Sequence, residues 1–64
     1  MNRRALEHHL RAHGCFLNHH GGRHDIRVNP RTQAHAPVPG HATIKQGTAR
    51  GICRILGITL PTAG

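Results

Sequence analysis

The spacing of apolar residues along the chain changes twice, and these changes constrain the fold more than any other feature. Leu6 and Leu10 lie four residues apart, which is the spacing of one helical face. After Gly14 the apolar residues alternate with polar ones, as in a strand, and after Gly47 the helical spacing returns. The predicted elements are helices over residues 2–13 and 48–56 and strands over residues 15–18, 23–29 and 34–38.

The residues between these elements predict how they are joined. Asn2 and Thr48 are suited to cap the starts of the two helices, and Gly14 and Gly57 to end them in the left-handed conformation. The turn residues predict two hairpins, the first over residues 19–22 and the second over residues 29–32. The sequence therefore predicts an α+β fold of order α-β-β-β-α, with two helices packed on one face of a three-stranded antiparallel sheet. We expect one domain over residues 1–64, with a loose tail at residues 59–64.

The second strand has the clearest alternation in the chain. His24, Ile26 and Val28 point to one side, and Asp25 and Arg27 point to the other. The apolar side is predicted to face the core, and in that setting His24 is a half-buried member of the same face. The predicted core residues are Leu6, Leu10, Leu17, Ile26, Val28, Val38, Ile52, Ile55, Leu56 and Ile58. Cys15 and Cys53 form no C-x-x-C pair and are predicted to be reduced thiols of core type.

The charge of the chain is strongly one-sided. Nine Lys and Arg residues face two acidic ones, for a formal net charge of +7, and Phe16 is the only aromatic residue. Such an excess predicts attraction to a polyanion, whereas a cationic surface needed only for solubility is the alternative.

So few large apolar residues leave little material for a deep pocket around a small substrate. No apolar run approaches the ~20 residues of a membrane span, and we expect a cytoplasmic protein.

Eight histidines raise the question of a metal site. A structural zinc site normally has four ligands at recognisable spacing, and no C-x-x-C pair is present. His9 and His13 are one helical turn apart, but they belong to a polar helix face. The sequence predicts no physiological metal and no cofactor, and a metal-handling peptide remains as a third hypothesis.

Three segments together resemble the HicA toxins, which are mRNA interferases with a fold like that of double-stranded-RNA-binding domains. Residues 10–16 are similar to the first helix of that family and its glycine exit, and residues 21–26 to its glycine-rich hairpin with a single histidine. Residues 38–41 and 47–58 are similar to its V-P-x-H segment and closing helix. Arg23 departs from the pattern, because a small residue usually precedes the histidine there.

The resemblance implies a bacterial RNA-cleaving toxin that a HicB-like antitoxin holds inactive. The expected activity is a metal-independent endoribonuclease that cuts mRNA, and so blocks translation, through acid–base catalysis by His24. His41 is a possible second site histidine, with a loop or capping position as its alternative. Arginine and lysine suit phosphoryl oxygens, and the expected RNA-binding residues are Arg23, Arg27, Lys45 and Arg50. The alternative function is a non-catalytic RNA-binding module of the same fold.

Overall fold

The computed structural model describes residues 1–61 as two helices and three strands. The elements are α1 (Arg3–Ala12), β1 (Phe16–Gly21), β2 (His24–Asn29), β3 (Ala34–Pro39) and α2 (Gln46–Leu56). The strands form one antiparallel sheet with β2 in the middle, and both helices contribute to a core on one face of it. The predicted α-β-β-β-α fold is confirmed. Residues 62–64, the end of the predicted tail, lie outside the described residues.

Helix α1 begins and ends as its sequence predicts. The side-chain Oδ1 of Asn2 accepts a hydrogen bond from the backbone N–H of Arg4 at 2.7 Å. At the other end Gly14 has a φ of +81°, and the N–H of Cys15 donates to the carbonyl of Leu10 at 2.9 Å. This backward bond is the Schellman motif, which satisfies carbonyls that the helix itself leaves free.

Helix α2 ends as predicted but begins earlier. Gly57 has a φ of +72°, and the N–H of Ile58 donates to the carbonyl of Cys53 at 3.0 Å, which is again a Schellman motif. The prediction that Thr48 caps the start was wrong, since the helix starts at Gln46 and no side chain caps it. The cause lies in the preceding segment, which is fixed by other contacts described below.

The first hairpin is tighter than the sequence predicts. His19 and His20 are the end of β1 and not part of the turn, which consists of Gly22 and Arg23 alone. A β-bulge at Asn18 inserts one extra residue into β1, and pairing with β2 then continues to the end of the strand. Gly22 has a φ of +36°, so the turn depends on its glycine.

The helices cover the opposite side of β2 from the one predicted. Arg27 pairs across the sheet with Ala36, which is fully buried in the core. Residues directly opposite each other in a sheet share a face, so Arg27 points toward the helices and approaches Glu7 of α1. Ile26 and Val28 therefore lie on the face without helices. The alternation was correctly predicted, and the choice of the covered side was wrong.

The core is aliphatic and contains both cysteines. Its buried residues are Leu6, Leu10, Cys15, Ala36, Val38, Ile44, Ala49, Ile52, Cys53 and Leu56. Both thiols are free, as predicted. Ile55 was expected in the core but is 53% exposed, whereas Ile44 is buried and was not predicted.

Candidate active site

An open cleft lies where the β1–β2 turn meets the end of β3. Its volume is about 510 Å³, and it is lined by Gly22, Arg23, His24, Gly40 and His41. The sequence singles out His24 and His41 in two separate segments, and the fold brings both of them to this cleft together with Arg23.

The sheet positions the two halves of the cleft. His24 is the first residue of β2 and pairs with Pro39, the last residue of β3. The N–H of Gly40 then donates to the carbonyl of Arg23 at 3.2 Å, which extends the pairing by one step. A Cβ at Gly40 would lie 3.3 Å from that carbonyl oxygen, so glycine is the residue that fits this close approach without displacing a neighbour. His41 follows directly.

Helix α1 fixes the segment that carries His41. The Nη1 of Arg3 donates to the carbonyl of Gly40, and the backbone N–H of Arg3 donates to that of Ala42, both at 2.9 Å. Ile44 is buried, and its N–H donates to the carbonyl of Met1. This anchored segment brings the chain into α2 at Gln46, ahead of the predicted start. The sequence offered only one signal for it, an isolated isoleucine among polar residues.

Lys45 lies in a neighbouring cleft. That second cleft has a volume of about 300 Å³ and shares His41 with the first one. Lys45 is exposed there, within the same region as His41 but not among the residues around His24. Arg50 is exposed on α2 and lines neither cleft.

Arg27 is not brought to the cleft. It is 7% exposed on the helix-facing side of the sheet, and its Nη2 lies 3.8 Å from Oε2 of Glu7. A buried cation needs such a partner, because removing a charge from water is costly unless it is compensated. In this conformation Arg27 is an internal residue between the sheet and α1.

The rings of His24 and His41 are free to turn toward a ligand. Both residues are exposed, and within residues 1–61 neither ring has a side-chain hydrogen bond. Asp25 was weighed as a group that orients a histidine or pairs with an arginine. Its Oδ1 instead accepts a hydrogen bond from Nδ1 of His20 at 2.7 Å, so Asp25 holds neither ring of the cleft.

Two other histidines hold the C-terminal segment. The Nε2 of His9 donates to the carbonyl of Thr59 at 2.8 Å, and the Thr59 hydroxyl lies 2.9 Å from Nε2 of His13. These rings therefore fasten residue 59 to α1. In the part of the chain that the structure describes, no three His, Cys, Asp or Glu residues are grouped to hold a metal ion.

A comparison with protein families matches residues 3–58 to the family described as the HicA toxin of bacterial toxin–antitoxin systems. The chain belongs to the HicA toxin family. The match runs from α1 to the residue after Gly57 and includes both candidate histidines, His24 and His41. This HicA-family protein is thus a toxin of a toxin–antitoxin system, and the family implies an antitoxin as its partner.

Neither the curated proteins nor the solved structures gave a match to the chain. Among residues 1–61 no helix has both the length and the apolar character needed to cross a membrane.

Proposed function

We propose that this HicA-family toxin is a metal-independent endoribonuclease that cuts mRNA at the cleft of His24 and thereby blocks translation. The observation that carries the proposal is the convergence of His24, His41 and Arg23 on one open cleft. Imidazole transfers protons near neutrality, and guanidinium binds phosphoryl oxygens in a planar, bidentate way. One cleft thus offers the groups that RNA cleavage requires.

The reaction needs no group beyond the RNA and these side chains. The 2′-oxygen of the substrate attacks the adjacent phosphorus and forms a new P–O bond, while the bond from phosphorus to the 5′-oxygen breaks. A base accepts the 2′-hydroxyl proton, and an acid donates a proton to the departing 5′-oxygen. The products are a 2′,3′-cyclic phosphate and a 5′-hydroxyl. General acid–base assistance of this kind typically contributes about 10²- to 10⁴-fold.

The side chains of the cleft divide these tasks. His24 performs one of the two proton transfers, and His41 performs the other. Arg23 stabilises the negative charge that develops on the phosphoryl oxygens. Lys45, in the neighbouring cleft beside His41, binds the next phosphate along the strand. Arg50 adds a more distant contact on α2, and the buried Arg27 is left out of the proposed site.

The antitoxin acts on the same surface. A shallow cleft can be closed by a partner that covers it, and the net charge of +7 favours an acidic one. We therefore expect a HicB-like antitoxin to silence the toxin by covering the cleft of His24.

The test compares histidine variants in a fluorescence-quenched RNA cleavage assay. His24→Ala and His41→Ala should each lower the rate by about 10²-fold or more, and His8→Ala, an exposed histidine of α1 outside the cleft, should not. Activity should resist EDTA, and a 2′-deoxy substitution at the cleaved position should abolish it. Growth of a bacterial host that expresses each variant provides a second readout.

Circular dichroism on each variant separates lost chemistry from lost fold. If His24→Ala is unfolded, His24→Gln replaces it in the same assay. A folded His24 variant that cleaves at the wild-type rate would overturn the assignment. A wild-type protein that binds RNA but never cleaves it would instead identify the non-catalytic RNA-binding module.

A further inference from the structure

One face of the sheet carries no helix, and its residues follow from the strand register. We call this surface the open face. Phe16, Val28 and His35 lie opposite one another in one row across the three strands, and His19, Ile26 and Pro37 form the next row. Val28 is only 6% exposed while Phe16 beside it is 47% exposed, so the row presents the ring of Phe16 to solvent next to a buried valine.

The open face is continuous with the cleft. His24 points to the same side of β2 as Ile26 and Val28. Alternate residues of a strand are about 6.8 Å apart, so the row of Phe16 lies about 14 Å from His24 along the strand. A chain whose phosphate sits at His24 can therefore lay its neighbouring bases over this face.

Hydrogen bonds hold two imidazole rings on the open face. The Nδ1 of His19 lies 2.6 Å from Oδ1 of Asn18, and the Nδ1 of His35 donates to the carbonyl of Gln33 at 2.9 Å. Gly21 has no side chain, and the ring of His19 lies over the place where one would stand, with Nε2 3.7 Å from it. These hydrogen bonds set the positions of the two imidazole rings before a ligand arrives, and the exposed ring of Phe16 adds a third flat surface.

The acidic side chains of the protein are turned away from this face. Glu7 forms an ion pair with Arg3 on α1, and Asp25 lies on the helix-facing side, where it accepts a hydrogen bond from His20. These are the only Asp and Glu residues in the sequence. The open face therefore has aromatic and imidazole rings without a carboxylate, on a chain with a net charge of +7. Exposed rings without a carboxylate suit a polyanion whose bases can stack on them, and the net charge of +7 favours such a partner.

We propose that the open face binds single-stranded RNA, with a base stacked on Phe16 and the phosphate chain leading to His24. The inference rests on the proposed function and adds the form of its substrate, a single strand with unpaired bases. Bases of a duplex are stacked on each other and are not available to a flat protein surface. The open face should therefore bind single-stranded segments in preference to duplexes.

The experiment measures binding by fluorescence anisotropy with an uncleavable, fully 2′-O-methylated RNA. The probes are a labelled single strand, the same strand in a duplex, and a version with abasic positions in place of its bases. The variants are Phe16→Ala, Phe16→Leu and Phe16→Tyr. Ile55→Ala is the matched control, because Ile55 is similarly exposed but lies on α2.

Loss of the ring should weaken single-strand binding selectively. We expect Phe16→Ala and Phe16→Leu to weaken it roughly 5- to 150-fold, and Phe16→Tyr and Ile55→Ala to leave it within about twofold of wild type. Duplex and abasic probes should not distinguish wild type from Phe16→Ala. Phe16→Leu keeps a large apolar side chain beside Val28, so it tests the ring even if Phe16→Ala is unstable.

The possible outcomes separate this inference from the proposed catalysis. RNA that is bound through Phe16 but never cleaved would leave the open face as an RNA platform and overturn the catalysis. If Phe16→Ala and Phe16→Leu both cleave RNA normally and keep the single-strand affinity of wild type, the open face does not bind RNA. The proposed catalysis would then still stand. Variants that bind RNA normally but lose the antitoxin would also overturn RNA binding by the open face, and would show this face to be a protein interface.

Discussion

Asn29 shows how much one buried polar side chain contributes to this small structure. It is almost fully buried at the end of β2, where its Nδ2 donates to the carbonyl of Leu56 at 2.7 Å. Its Oδ1 accepts from the N–H of Arg31 at 3.0 Å. One amide therefore joins the end of α2 to the sheet and fixes the β2–β3 turn.

We predict that Asn29→Ala destabilises the fold by about 1–3 kcal/mol, because it removes both bonds and leaves the buried carbonyl of Leu56 without this partner. Chemical denaturation followed by circular dichroism measures this change. Asn18→Ala, at an exposed asparagine of β1, should stay within about 0.5 kcal/mol of wild type. Equal stability of the two variants would show that the carbonyl of Leu56 does not need its partner.

The two cysteines should be protected by burial. Burial raises the pKa of both the Cys15 and Cys53 thiols, and the charge of Arg27 partly offsets this for Cys15. We expect Ellman's reagent to label both slowly in the native protein near neutral pH and quickly in guanidinium, because the thiolate is the reactive form. Rapid labelling of the native protein would contradict this. The sign of the pKa shift also predicts stability that is full below the unfolded thiol pKa of about 8.5 and declines as pH rises above it.

At the scale of the element, the glycine inside α2 and the glycine that ends it differ in the substitutions they permit. Gly51 lies inside the helix with open space where a Cβ would stand, whereas Gly57 has a φ of +72°. Gly51→Ala should stabilise the protein by about 0.5–1 kcal/mol, a rise of several degrees in Tm for a domain of this size. Gly57→Ala should lower Tm, because alanine is strained in the left-handed conformation. Thermal unfolding of both variants tests the contrast, and two changes of the same sign would contradict it.

The sequence predicts the elements better than it predicts how they face each other. Local signals sufficed for the ends of α1, because Asn2 and Gly14 act on their own turns. The covered side of β2 depends instead on contacts between elements, such as the packing of Ala36 in the core and the approach of Arg27 to Glu7. Alternation gives two faces and does not say which one receives the helices when both carry polar and apolar groups. The buried position of Ile44 has the same cause, since it depends on contacts with the start of the chain.

In the candidate site, too, local sequence signals predict some features, and contacts between elements determine the others. His24 was predictable because the glycine turn beside it is local and the family resemblance points to it. His24 and His41 come close together because of the β2–β3 register and because Arg3 binds the carbonyl of Gly40. Neither contact has a local signal in the sequence. The RNA-facing position predicted for Arg27 depended on the wrong face of β2.

At the scale of the whole molecule, the fold sorts charge as well as burial. Both acidic side chains lie on the helix side of the sheet or on α1, and Arg27 is internal with Glu7. The cleft holds Arg23 without a carboxylate among its lining residues. The attraction of a polyanion should therefore come from the exposed cations around the cleft and not from all nine basic residues equally.

The salt dependence of RNA binding tests this division of charge. For a single strand, log affinity falls against log salt with a slope of about −0.7 per phosphate neutralised. Wild-type affinity for an uncleavable single strand should fall clearly between about 50 and 200 mM salt, with a slope that corresponds to several phosphates.

Arg23→Ala should make the slope shallower by about 0.7, because it removes one exposed phosphate contact. Arg27→Met should leave the slope unchanged and should instead lower the stability, because Glu7 loses a partner inside the protein. If the slope becomes equally shallow in both variants, Arg27 leaves Glu7 and binds the RNA, as the sequence analysis predicts for this residue. A wild-type affinity that does not change with salt would remove the electrostatic argument for RNA altogether.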